Sequence, residues 1–77
     1  MSKISFEVFA ERFANDLGIK DDLRPDISFA NIPQYDSMGK INVSLIIEEL
    51  FEFQIEFEEL DAAKTLNELY QYCISKE

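Results

Sequence analysis

Apolar residues recur along the first part of the chain at helical spacing. Phe6, Phe9, Ala10, Phe13 and Leu17 fall at i, i+3, i+4 and i+7 steps, one face of a helix with 3.6 residues per turn. Ser5 stands where a cap is needed and Gly18 where a left-handed residue can end the helix, so the pattern predicts a first helix between them. From Ile19 to Asp36 the periodicity lapses, and Pro25 and Pro33 would each interrupt a helix. This segment is expected to be a long ordered loop, a feature that is usually functional in a small domain. A second helical pattern runs from Ser37 to Phe51, where Met38, Ile41, Leu45 and Ile46 or Ile47 recur at helical spacing without a proline. Met38, Ile41 and Leu45 are expected to form its core face. Phe51, Phe53, Ile55 and Phe57 then alternate with Glu52, Gln54 and Glu56, which is the period of a strand. No other segment alternates in this way, and a lone strand leaves its backbone groups unpaired, so a helix end and a turn are expected instead. A short helical turn follows around Glu58 to Ala62. The last helix is marked by Thr65 and Glu68 as a capping box ahead of Leu66, Leu69, Tyr70 and Cys73. The whole pattern predicts an all-α, four-helix bundle with a long first connection and a short third helix.

Composition narrows the chemistry. At 77 residues, residues 1–77 are expected to form a single domain with one small core, and ten aromatic residues supply enough apolar material for it. One cysteine, Cys73, excludes an intramolecular disulfide and is expected to be a buried small hydrophobe. The absence of histidine removes the usual zinc sites and the Ser-His and Cys-His catalytic pairs. No metal site is expected, since the acids do not fall at the spacing of an EF-hand loop. Apolar runs stop at three residues, so no membrane span or signal-peptide core is expected and the location is expected to be cytoplasmic. The net charge of -9 repels nucleic acid and anionic membranes and favours partners with basic faces. Much of it is concentrated in Glu48, Glu49, Glu52, Glu56, Glu58, Glu59 and Asp61, a stretch without a base. Acids near the end of the second helix oppose its dipole, so either docking or solubility accounts for them.

Ser37 is the candidate for chemistry. At the start of a long helix, a phosphate on its hydroxyl would meet converging backbone amides and the positive end of the dipole, an environment worth roughly 0.3 to 1 kcal/mol at an exposed site. The simpler reading is that Asp36 or Ser37 does no more than cap the helix.

Asp36-Ser37-Met38, followed by Ile41, Leu45, Ile47, Glu48, Glu49, Phe51 and Ile55, resembles the acyl carrier protein family's Asp-Ser-Leu step into an apolar helix. The resemblance continues without a gap through Glu58, Glu59, Thr65, Leu66 and Tyr72, and Phe29 lies where the family has a phenylalanine before its serine. It implies a four-helix bundle of acyl-carrier type in which a phosphopantetheinyl transferase moves a 4'-phosphopantetheine arm from coenzyme A onto Ser37, flanked by Asp36 and Met38. Acyl units would then ride on the arm as thioesters, delivered to acyl-loading and acyl-transferring enzymes of a fatty-acid or specialised pathway. The chain would be a monomer without catalysis of its own. An aminoacyl or peptidyl cargo is a second possibility. An acidic helical interaction module, with Ser37 only a cap, is an alternative of another class.

The chain also departs from that pattern. Gly39 and Asn42 stand where the family is acidic, Lys40 adds a base between them, and Gln34 replaces a loop glycine. Gly39, Lys40, Ile41, Glu48 and Glu49 are the residues expected to meet partners, with Gly39 giving close access to the helix start. Tyr35 is expected to pack over the loop or the arm. Phe53 and Phe57, where the family is commonly polar, are expected to serve packing or a partner surface.

Overall fold

Ser5 accepts a hydrogen bond from the Val8 amide and starts α1, Phe6–Leu17; Gly18 ends it in the left-handed conformation at φ 71°. A computed structural model describes residues 4–20 and 22–76. Three further helices follow: α2, Ser37–Phe51; α3, Phe57–Ala62; and α4, Leu66–Ile74. The four expected helices are all present, and among the described residues the fold is an all-helical bundle of acyl-carrier type.

The alternating stretch after Phe51 is a turn, as the lack of a pairing partner required. Glu52 closes α2 with φ 62°, its amide donating to the Glu48 carbonyl. The segment then enters α3 one residue earlier than expected, with the Glu59 carboxylate accepting the Glu56 amide at 3.2 Å. At α4 the Thr65 hydroxyl accepts the Glu68 amide at 3.2 Å, while the Glu68 carboxylate accepts from Lys64, one residue earlier than a reciprocal box would place it.

The long connection owes its order to backbone pairing with the start of α4. The Phe29 amide donates to the Lys64 carbonyl, Leu66 to Ile27 and Asn67 to Pro25, around an isolated bridge between Ser28 and Thr65. A 3-10 turn at Phe29–Asn31 follows, capped by Ser28. These bonds satisfy groups that would otherwise need water, and they hold the loop against the bundle.

α1 packs on α2 and α4, and α2 also meets α3 and α4. Phe9, Phe13, Ile46, Ile47, Leu60 and Leu69 are fully buried at their centre, and Cys73 is buried with them as expected. Phe9 lies 5.8 Å from Phe51 and 6.0 Å from Tyr70 between ring centroids, and the Tyr70 hydroxyl donates to the Ile4 carbonyl at 2.6 Å. Phe53 is half-buried beside Tyr72, whereas Phe57 is exposed.

One expectation fails. Met38, Ile41 and Leu45 do not form the core face of α2; they are 70%, 43% and 52% exposed. Gly39, Val43, Ile46, Ile47 and Phe51 face inward instead. α2 carries apolar residues on two opposite faces, so periodicity could detect a helix but could not choose the buried side.

Candidate functional site

Asp36 and Ser37 separate two roles that sequence left merged. Asp36 is the N-cap of α2, its Oδ1 accepting the Gly39 amide at 2.9 Å, and its carbonyl receives the Lys40 amide at 2.8 Å. Ser37 is the first helical residue and is exposed. Its hydroxyl therefore stands at the helix start without serving as the cap. Met38 follows on the surface, and Ile41 and Leu45 continue an exposed apolar stripe along the helix.

The loop before Ser37 is fixed from beneath. Tyr35 stacks on Phe29 with ring centroids 4.2 Å apart and planes 22° from parallel, and both rings contact Phe13 of α1. Gly39 is buried under the same loop. A Cβ there would lie 2.2 Å from the Gln34 carbonyl oxygen and 3.4 Å from Leu17. The glycine thus allows loop backbone to lie directly on the helix. The space beside Gly39, expected to give partners close access to the helix start, is filled by the chain's own loop.

Lys40 and Glu49 are engaged inside the molecule. The Lys40 ammonium pairs with Asp61 of α3 and stands 5.8 Å from the Tyr35 ring centroid. Glu49 pairs with Arg12 of α1, which also bonds Asp16. Glu48 is exposed, beside a shallow recess that it lines with Ser44 and Glu56. Of the five residues expected to meet partners, Ile41 and Glu48 are thus the ones that combine exposure with no role in these contacts. The Lys40–Asp61 and Arg12–Glu49 pairs span 21 and 37 residues and left no local signal in the sequence. Leu45, expected in the core, joins the surface set.

Tyr35 is the other residue whose setting only the structure reveals. Its ring takes the packing role expected of it, but its hydroxyl is buried without a hydrogen-bond partner among the described residues. Burial, with the nearby Asp61 charge adding to it, pushes the phenol well above its usual pKa. Tyr35, Lys40 and Asp61 line a cavity of 290 Å³ that also includes Phe29, Leu60 and Lys64.

A family model described as the phosphopantetheine attachment site matches residues 7–73, from within α1 to within α4. The chain belongs to this phosphopantetheine-binding family. No curated protein matches it. Phosphopantetheine-binding proteins carry covalently attached 4'-phosphopantetheine, and the chain is accordingly a phosphopantetheine-bearing carrier protein. When bound, the group supplies a terminal thiol on a flexible arm. The geometry at Ser37 fits such a group. An exposed hydroxyl at the first position of a helix leaves room for a phosphodiester at the positive end of the helix dipole. No helix among the described residues is long and apolar enough to cross a membrane.

Proposed function

We propose that the chain is a single, monomeric carrier domain of the cytoplasm that bears 4'-phosphopantetheine on Ser37 and presents acyl thioesters to biosynthetic enzymes. The observation that carries this is the division of labour at α2: Asp36 caps the helix, so Ser37 is left exposed with its hydroxyl available. In the modification, Ser37 Oγ would attack the phosphorus of coenzyme A that bears the pantetheine unit. The bond from that phosphorus to the departing adenosine bisphosphate would break, and the serine proton would pass to a base of the transferase. Asp36 contributes by holding the first turn in place and Gly39 by letting the loop seat against it. Met38, Ile41 and Leu45, with Glu48 beside them, form the surface offered to the transferase and to acyl-handling enzymes. An apolar stripe with acids along its edge fits a partner cleft with an apolar floor and a basic rim.

Mass spectrometry tests the assignment directly. Incubation with coenzyme A, magnesium and a broad-specificity transferase is expected to add one phosphopantetheine to the wild type and none to Ser37→Ala. An adduct on Ser37→Ala, or none on the wild type with several transferases, would overturn it.

A further inference from the structure

Lys40 is the only base between Arg24 and Lys64, a segment that includes the whole of α2 and α3. A lone cation in so acidic a stretch has several anions to choose from, so the direction it takes is informative. Its ammonium pairs with Asp61 of α3 and stands 5.8 Å from the ring centroid of Tyr35, the residue two positions before Ser37. The stem thus lies back over the start of its own helix, the direction in which long side chains on a helix lean. Ser37 precedes Lys40 by three positions, and side chains three apart on a helix are neighbours, with Cβ atoms about 5–6 Å apart. The Asp61 side chain is 60% exposed, so water screens the existing pair, which is readily exchanged for a better one.

From this placement we infer that Lys40 is a ligand for the phosphodiester that joins the arm to Ser37, its ammonium exchanging the Asp61 carboxylate for the diester oxygens once the serine is modified. The inference rests on attachment at Ser37. Modification places a new negative charge next to Asp36, whose carboxylate is fixed in position by the Gly39 amide, on a chain already at -9. The two anions repel, and Lys40 is the base one helical turn away that offsets this. Its flexible stem and rotatable ammonium suit it to take up either anion. Pairing with the diester lies within one turn of α2, whereas pairing with Asp61 requires α3 to be held alongside. Lys64 borders the same recess as Lys40 and Asp61, but from the segment ahead of α4. The exchange leaves Asp61 unpaired, so the ion pair between α2 and α3 belongs to the unmodified protein and is given up when the arm is attached.

The test compares the unmodified protein with the form carrying the bare arm, at about 10 mM salt, where charges are least screened. In protein labelled with carbon-13 at lysine Cε, the Lys40 signal, assigned by its loss in Lys40→Gln, is expected to move on modification while the Lys64 signal stays. Melting temperatures give the second readout, in an Asp61→Asn background that removes the competing anion. There, Lys40→Gln is expected to lower the melting temperature by about 2–4 °C more with the arm than without it, the size of one exposed ion pair in a small domain. Lys64→Gln, which makes the same change in net charge, is expected to have equal effects in the two forms. A Lys40 signal that does not move would overturn the inference, as would an equal effect of Lys40→Gln with and without the arm. An extra loss of the same size in Lys64→Gln would also overturn it, by showing general charge compensation in place of a specific contact. Failure to obtain any adduct on the wild type would instead overturn the attachment at Ser37 on which the inference rests.

Discussion

Gly39 shows how a single missing methyl group positions a site. Alanine would raise helix propensity, by up to about 1 kcal/mol in a helix interior, but its Cβ would meet a backbone oxygen at 2.2 Å. That contact cannot be relieved by rotating a side chain, so the loop at Gln34 has to move. Overpacking of this kind costs typically about 1–3 kcal/mol, which outweighs the propensity gain. Gly39→Ala is therefore expected to lower the urea midpoint and to slow modification of Ser37 together, since the displaced loop carries Tyr35 and Asp36. A variant with unchanged stability would remove this account of the glycine. The sequence leads to an expectation of close access for partners at Gly39, whereas the neighbour that occupies this space is the chain's own loop.

α2 is the element with two apolar faces, one buried in the core and one exposed. Ile46 is fully buried, and Ile46→Ala is expected to cost about 2–5 kcal/mol through lost contacts and a residual cavity. Ile41 and Leu45 are largely exposed, so Ile41→Ser and Leu45→Ser should leave stability within about 0.5 kcal/mol of the wild type. The same two variants are expected to reduce the rate of modification by the transferase. Denaturant melts alongside modification rates separate the two faces: a large stability loss in Ile41→Ser would place that residue back in the core. Glu52, in the left-handed conformation at the end of α2, shows why the alternating Phe51–Phe57 stretch never becomes a strand. The helix stops there, and the following residues bury Ile55 as they turn into α3.

At the scale of the molecule, charge opposes compactness. The described residues span 29 × 23 × 19 Å, so at about 10 mM salt, where the screening length is about 30 Å, every charge acts on every other. Salt would weaken the Arg12–Asp16, Arg12–Glu49 and Lys40–Asp61 pairs, but exposed pairs contribute only about 0–1 kcal/mol each. Self-repulsion in a chain with net charge -9 is the larger effect. The melting temperature is therefore expected to rise as sodium chloride goes from about 10 to 150 mM, with about 4–8 °C corresponding to each kcal/mol in a domain of this size. A fall would show that the ion pairs outweigh the repulsion. Two of those pairs join different helices, so their loss should also loosen α1 and α3 from α2.

Helix existence was legible in the sequence because it depends on near neighbours. Ser5, Gly18 and Thr65 mark their helix ends through bonds to residues no more than four positions away, and the resemblance around Asp36-Ser37-Met38 located the candidate attachment residue. What periodicity could not determine was which face of α2 is inside, because both faces are apolar and only the packing of α1, α3 and α4 breaks the tie. The partners of Lys40, Glu49 and Gly39 likewise come from segments brought together by folding. The same holds for Tyr35: sequence could expect it to pack, but only the tertiary structure placed its hydroxyl in the interior, beside Asp61 and without a partner. A residue's type limits what it can do, whereas its burial and the groups that surround it decide which of those things it does.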